Sequence, residues 1–336
     1  MHLAALEQMW DLPGPWRFSE LAQGTNNLVR RVDSPSGQYI LRVYSNHTDP
    51  GRLRFEHTIL ISLRAASLPF AVPAPLPTHT GELYARIRSE EGEALATLTP
   101  LIPGQYPKRD NLEQATAAGE ALALLDIALA QMALPDPDAS VSWRSYGDLA
   151  HCHPLVPDPP AAIRELPLAD DARQRLLKSY DGLMACIPNV YAKLPQQLAH
   201  EDYGPDNILM EGPRVTGVLD FEFCARDLRV MDLTVALSWW PVAQFGTGEE
   251  WPIIRAFIQG YARHLTLSED EIEAIPMLYQ LRAYTSLIHR LGRYRQGLSP
   301  LAAVTDRAEA ALEREDWLRG NGEQFMRTVR EAMLHC

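Results

Sequence analysis

Polar and hydrophobic residues alternate along much of the first hundred positions, as they do in strands with one buried face. The alternation is clearest in residues 27–33 and 38–44, which flank a Ser-Pro-Ser-Gly turn and therefore predict a β-hairpin. Asp49 then gives a helix start signal, because a proline and a series of regularly spaced leucine and isoleucine residues follow it. Two further strands are expected at 82–87 and 93–101.

Helical periodicity dominates the rest of the chain. Long segments rich in alanine and leucine, or amphipathic, predict helices at 111–132, 161–187, 249–264 and 272–296. One short stretch among them, 198–223, is richer in aspartate, glycine and β-forming residues. We therefore expect an α+β, bilobal fold with a small antiparallel β-sheet lobe containing one helix, residues 1–102, and a larger, mainly helical lobe, residues 103–336.

The composition then argues against several classes of protein. A formal net charge of -12 argues against nucleic-acid binding, because phosphate backbones are bound by clustered lysine and arginine. No apolar run reaches about 18 residues, so no membrane span is expected. The 4 cysteines lack the spacing of a disulfide framework, and the amino terminus lacks the pattern of a signal peptide. We expect a cytoplasmic protein that is a monomer or homodimer.

The clearest chemical pattern lies in 198–223. His200-Glu-Asp202 is followed by a Gly-Pro pair, which predicts a loop, and then by Asn207. Two short strands are expected between Asn207 and Asp220, and the hairpin they form would gather Asp202, Asn207 and Asp220. A carboxylate and a side-chain amide suit Mg²⁺ that carries nucleotide phosphates. A further carboxylate can accept the proton of an attacking hydroxyl.

The pattern His200-x-Asp202-x-x-x-x-Asn207, with Asp220 thirteen residues later, resembles the catalytic and metal-binding loops of protein-kinase-like phosphotransferases. More narrowly, it is similar to the superfamily of aminoglycoside phosphotransferases, choline kinases and type II homoserine kinases. The resemblance implies a protein-kinase-like fold and the cofactors ATP and Mg²⁺. It implies Asp202 as catalytic base, Asn207 and Asp220 as Mg²⁺ ligands, and His200 as a support of the loop. Asp232 resembles a family aspartate that holds this loop in place.

The amino-terminal half matches the same superfamily in weaker detail. Gly24, Thr25 and Asn26 lie where a phosphate-covering loop is expected, and an ordinary turn is the alternative. Arg42 stands at the strand position of a phosphate-binding lysine, with Glu56 as its partner fourteen positions later; a plain ion pair is the alternative. Thr99 and Leu101 belong to a segment that matches the interlobe hinge, whose backbone reads adenine.

The phosphate acceptor is less determined than the reaction. The overall length, the segment Leu68-Pro-Phe-Ala-Val-Pro73 and the late helix resemble those of type II homoserine kinases, and this resemblance implies a small amino-alcohol or amino-acid-like acceptor. An aminoglycoside or choline-type acceptor is the alternative, which the net acidity favours. Glu222, Trp239 and Tyr284 are candidate acceptor contacts, and the aromatic rings could enclose an ammonium group. The alternative for the rings is a place in the hydrophobic core.

Other classes of function stay open or are disfavoured. A pseudokinase or nucleotide-binding regulator draws some support from Arg42 and from Glu201, which stands where the family usually has glycine. Intact Asp202 and Asp220 argue against it. A protein-directed kinase is disfavoured because no Ala-Pro-Glu activation segment follows Asp220. The sequence has no P-loop, which argues against a P-loop kinase, and no Gly-x-Gly-x-x-Gly at a helix start, which argues against a dinucleotide-dependent oxidoreductase.

Overall fold

The computed structural model describes residues 3–20, 28–44, 49–89, 92–132 and 144–334. The predicted phosphate-covering residues Gly24, Thr25 and Asn26 lie outside these ranges. The chain divides into two compact units. The first contains residues up to Tyr106 together with Asn207–Glu222, and the second contains the remaining described residues. Within the described part of the chain, no helix is both long and apolar enough to cross a bilayer.

The first unit is built on an antiparallel sheet, as the alternation in the sequence predicted. Its strands are β1 (Arg17–Glu20), β2 (Leu28–Ser34), β3 (Gly37–Tyr44), β4 (Ala85–Ser89) and β5 (Gly92–Pro100). In the described residues their order is β1-β2-β3-β5-β4, and the β2–β3 turn pairs Ser34 with Gly37. Trp10 and Trp16 are buried in the same hydrophobic cluster as Leu41 and Leu98. The core of this unit therefore includes the middle strands β3 and β5.

Helix α1 (Pro50–Ala65) begins where Asp49 predicted it, because the Asp49 side chain accepts a hydrogen bond from the Gly51 N–H at 2.8 Å. The unit is completed by a hairpin of β7 (Ile208–Glu211) and β8 (Arg214–Val218). Backbone hydrogen bonds join this hairpin to Ala71 and to Gln105, at 2.9 to 3.0 Å. The hairpin is therefore an integral part of the unit, although it is distant in sequence.

The second unit is mainly helical. Its helices are α2 (Leu112–Ala130), α3 (Pro159–Arg164), α4 (Asp170–Lys193), α5 (Arg229–Trp239), α6 (Glu250–Ala262), α7 (Glu269–Arg295) and α8 (Leu301–Leu334). A short antiparallel pair, β6 (Gln196–Ala199) and β9 (Ala225–Leu228), lies on either side of residues 200–224 in sequence. The α+β class and the division into a sheet part and a helical part are confirmed.

The helices differ from the predicted ones in two places. The region 161–187 is two helices rather than one, because Pro167 lies in the break between α3 and α4 and cannot continue a helix. Helix α8 was not predicted, since Gly320 and Gly322 at its centre lower the helix propensity of the segment.

Helices α2 and α6 touch at two glycines. A Cβ atom placed on Gly119 would lie 1.9 Å from the carbonyl oxygen of Phe257, and one placed on Gly260 would lie 1.8 Å from that of Thr116. The contact is reciprocal, since each glycine meets the backbone of the opposite helix. Neither position has room for a side chain, so the two backbones meet directly.

Candidate active site

A buried aspartate on α5 fixes the loop that carries Asp202. The backbone N–H groups of His200 and Glu201 donate to the two carboxylate oxygens of Asp232 at 2.6 and 2.7 Å. Asp232 is fully buried, and burial raises its pKa, although His200 and these two N–H groups act in the opposite direction. The supporting role expected for Asp232 is confirmed.

Asp202 itself is half-buried, and its backbone is held by the preceding histidine. The Asp202 N–H donates to Nδ1 of His200 at 3.2 Å, so the ring accepts at that nitrogen. The His200 ring meets Tyr203 edge-on, with centroids 6.0 Å apart, and the Tyr203 hydroxyl donates to the Ala118 carbonyl at 2.9 Å. The loop is therefore anchored on both sides of Asp202.

Glu201 has the left-handed backbone that glycine adopts without steric cost, with φ of 65°. Its carboxyl group is buried, and neither of its oxygens has a hydrogen-bond partner in the described residues. Burial raises the pKa of Glu201 well above its usual value, and the nearby Asp227 and Asp232 raise it further. These surroundings therefore favour the protonated, neutral form of the side chain. The backbone here needs the conformation that glycine supplies in the resembled family.

Asn207 and Asp220 lie at the same end of the β7–β8 hairpin. Ile208 pairs with Val218, and the Leu219 N–H donates to the Asn207 carbonyl at 2.8 Å. The two backbone segments therefore remain hydrogen-bonded beyond the ends of the strands. Asp220 follows directly and has φ of 63°, an uncommon conformation for a residue with a side chain. Such backbone strain concentrates at functional sites.

Arg42 lies among three acidic side chains of the same unit. Its Nη2 is 3.1 Å from Asp220 Oδ1 and 2.9 Å from Glu222 Oε2, and its Nη1 is 3.8 Å from Glu56 Oε1. Burial acts to lower the pKa of Arg42, but Tyr44 and the three carboxylates raise it well above its usual value. Burial raises the pKa of Glu56 to about 8, although Arg42 opposes that rise. A permanent cation therefore stands beside Asp220.

The two hinge candidates continue the sheet. Thr99 pairs with Ile40 of β3, and the Leu101 N–H donates to the Gln38 carbonyl at 2.9 Å. That N–H is engaged within the protein, so a contact between Leu101 and adenine would fall to its carbonyl group.

The three candidate acceptor contacts lie in different surroundings. Glu222 belongs to the Arg42 group described above. Trp239 is the last residue of α5 and is half-buried. Tyr284 is fully buried, and its hydroxyl donates to the Leu176 carbonyl at 2.9 Å. These are the contacts of a core residue, which is the alternative that the sequence left open for Tyr284.

Sequence reasoning missed a set of arginines around Trp239. The guanidinium of Arg282, on α7, lies 4.3 Å from the centroid of the Trp239 ring, and that of Arg307, on α8, lies 5.7 Å from it. The basic residues of α7 give the helix a basic face opposite an apolar one, and such a face is usually solvated. Its spacing alone does not distinguish the buried Arg282 from the exposed Arg295.

Comparison with known proteins decides the family. The model of the phosphotransferase enzyme family matches residues 17–267, which include the Arg42 strand and the whole segment 198–223. The chain belongs to this family. It is therefore a kinase, and the superfamily expected from the residue pattern is confirmed.

Similar proteins can be aligned with most of the chain. Homoserine kinase of Acidiphilium cryptum is 29% identical over 294 residues, which is 86% of this chain and 85% of that protein. Homoserine kinase of Caulobacter vibrioides is 26% identical over 315 residues, covering 93% and 92% of the two chains. Among solved structures, a microcompartment-associated aminopropanol kinase matches with a TM-score of 0.73 and 20% identity over 95% of this chain and 97% of that one.

A structure of an amicoumacin kinase in complex with AMP-PNP and Ca²⁺ matches with a TM-score of 0.71 and 16% identity, over 93% of this chain and 92% of that one. Both structural likenesses show the fold, and the expected protein-kinase-like fold is confirmed.

Proposed function

We propose that this kinase transfers the γ-phosphate of ATP to the hydroxyl of a small amino-alcohol or amino-acid-like acceptor, with Mg²⁺ as its metal. The observation that carries the proposal is the Asp202 loop, which is fixed by Asp232 and leaves the Asp202 carboxylate half-buried. The names of the similar proteins, homoserine kinases and an aminopropanol kinase, support an acceptor of this kind. The complex of the amicoumacin kinase supports a nucleotide with a divalent metal.

The donor set at the end of the hairpin fits the metal. Asn207 and Asp220 offer an amide oxygen and a carboxylate, and Mg²⁺ in nucleotide sites takes few protein ligands because phosphates and water supply the others. Held by these two residues, the ion would supply positive charge that offsets the negative charge of the phosphates. The proposed nucleotide contacts are Gly24, Thr25, Asn26, Arg42, Thr99 and Leu101, with Glu56 holding Arg42.

Asp202 is proposed as the base. Its carboxylate accepts the proton of the acceptor hydroxyl while that oxygen bonds to the γ-phosphorus, and the bond from phosphorus to the bridging oxygen of ADP breaks. Of the acceptor candidates, Glu222 and Trp239 are kept. Tyr284 is left out, since its hydroxyl and ring are engaged in the core. We propose a cytoplasmic location, which the scattered cysteines support. A monomer or homodimer is proposed as the oligomeric state.

The test is ADP release with Mg-ATP across homoserine, choline, ethanolamine, hydroxylysine, methylthioribose and several aminoglycosides. We expect turnover with homoserine or a short amino alcohol. Turnover only with choline or an aminoglycoside would favour the alternative acceptor class. A chain that fails to bind Mg-ATP at all would favour the pseudokinase alternative.

A further inference from the structure

We infer that Arg282, Trp239 and Arg307 form a binding site for the carboxylate of the phosphate acceptor. The inference rests on the proposed function and narrows it, because it selects amino-acid acceptors over amino alcohols without an acid group.

Arg282 is a buried cation that forms no ion pair with a carboxylate of the described residues. It is 4% exposed, and its Nη1 has no hydrogen-bond partner. Arg229, in the same unit, shows the usual arrangement: it donates to both oxygens of Glu271 at 3.0 and 2.6 Å. Leaving a buried guanidinium unpaired is costly. Its retention therefore indicates a partner that is not part of the chain.

The neighbouring polar groups are also unsatisfied. Nε1 of Trp239 is buried without a hydrogen-bond partner, and so is Oγ1 of Thr285, which follows Arg282 by one helical turn on α7. Indole and guanidinium nitrogens only donate, and a hydroxyl can donate. A ligand that satisfies all three must therefore offer acceptor oxygens. A carboxylate matches the flat fork of an arginine in this respect.

Positive charge is concentrated at this place in a chain whose net charge is -12. Burial, together with the charges of Arg314 and Arg307, lowers the pKa of Arg282 to about 10, although Tyr146 and Asp202 oppose the fall. Burial also lowers the pKa of Arg307, and Arg290 and Arg314 add to the effect. Two guanidinium groups, those of Arg282 and Arg307, already lie close to the Trp239 ring. An ammonium group would be repelled there, whereas an anion relieves the mutual repulsion.

The site adjoins the catalytic loop. Gly204, two residues after Asp202, packs on Trp239: a Cβ atom there would lie 3.3 Å from Trp239 Cδ1. Arg109 also connects the end of α5 to the loop that follows Asp202. It donates to the Trp239 carbonyl at 3.2 Å and to Asp206 at 3.0 Å. The effect of Asp202 on the pKa of Arg282 shows that their charges interact. One small acceptor can therefore place its hydroxyl at Asp202 and its acid group at Arg282.

The decisive experiment compares two acceptors that differ only in the carboxylate: L-homoserine and 3-aminopropan-1-ol. The variants are Arg282→Gln and Arg307→Gln, and the matched control is Arg319→Gln on α8, an exposed arginine paired with Glu315 at 2.8 Å. We expect Arg282→Gln to lower the ratio of kcat/KM for homoserine to that for aminopropanol by about tenfold or more. Arg307→Gln should lower the ratio less, and the control should not change it.

The outcomes separate this inference from the proposed function. Preference of the wild type for aminopropanol, choline or an aminoglycoside over homoserine overturns the inference but leaves the kinase proposal standing. A ratio unchanged in both variants also overturns it, and a raised KM for ATP alone would assign the arginines to nucleotide phosphate. ADP release with no acceptor of the screen contradicts the proposed function instead. Should Arg282→Gln fail to fold by circular dichroism, the half-exposed Arg307→Gln decides the result.

Discussion

At the scale of single residues, Asp202 and Asp220 have different proposed roles, so substitutions at the two positions should impair the enzyme in different ways. Asp202→Asn removes the proposed base and keeps the shape of the loop, so we expect kcat to fall by about 10²–10⁴ with ATP affinity largely retained. Asp220→Ala removes a proposed metal ligand beside Arg42, so Mg-ATP binding should weaken as well. Steady-state kinetics and calorimetric titration of nucleotide distinguish the two. A wild-type rate in Asp202→Asn would exclude it as the base.

Glu201 should make stability depend on pH. A carboxyl whose pKa is raised in the folded state stabilises the fold fully below its unfolded pKa, and that contribution is lost as pH rises through the folded value. Glu201→Gln keeps the shape but cannot ionise. We therefore expect the free energy of unfolding of the wild type to fall relative to that of the variant between pH 5 and pH 9. Urea denaturation measures this, with exposed Glu313→Gln as control. Parallel pH curves for wild type and variant would contradict the neutral buried acid.

The residues that could be predicted are those whose proposed role follows from their spacing along the sequence. The order of His200, Asp202, Asn207 and Asp220 along the chain indicated a phosphotransferase, and the family match confirmed that class. Arg282 could not be found in this way. Its importance comes from a contact with Trp239 on another helix, 43 residues earlier, which only tertiary packing creates. The roles of the individual site residues stay predictions.

At the scale of elements, the α2–α6 contact should be intolerant of any side chain. Gly119→Ala or Gly260→Ala would force the helices apart, because each new Cβ meets a carbonyl oxygen rather than a flexible side chain. We expect each to lower the free energy of unfolding by about 1–3 kcal/mol or more. The control is Gly182→Ala on α4, where nothing lies within 4 Å of the new Cβ, and a gain of up to about 1 kcal/mol is expected. Equal effects at the three positions would contradict the close contact.

Elements with clear signals at their ends were predicted well. The hairpin β2–β3 and helix α1 have a turn sequence and an aspartate cap, respectively, and both formed as expected. Helix α5 has neither: no side-chain cap stabilises its start, and it is buried on nearly every side, so its sequence lacks an amphipathic period. The strand pair β6–β9 was missed because each strand has only four residues.

At the scale of the whole molecule, the compact units are not contiguous stretches of the chain. The sequence suggested lobes of 1–102 and 103–336, because contiguity is the only guide before contacts are known. The structure groups Asn207–Glu222 with the amino-terminal part of the chain. The assignment of nucleotide binding to 1–102 stays a prediction.

This grouping has a measurable consequence. A fragment of residues 1–106 lacks the hairpin whose backbone bonds to Ala71 and Gln105, so we expect it to melt with low cooperativity. The same fragment carrying residues 207–222 through a flexible linker should regain a sharp transition in circular dichroism. A cooperative transition in the shorter fragment would show that the hairpin is dispensable for folding.

Helix α5 binds the catalytic loop through Asp232 in its first turn and ends at Trp239. Seven residues of α-helix span about 10 Å, and their backbone hydrogen bonds keep that length constant. The spacing between the Asp202 loop, which Asp232 holds, and the Trp239 ring of the proposed acid-binding site is thus set by one rigid segment. A series of ω-hydroxy amino acids should therefore show a single optimum of carbon-chain length, with a sharp loss of kcat/KM on either side.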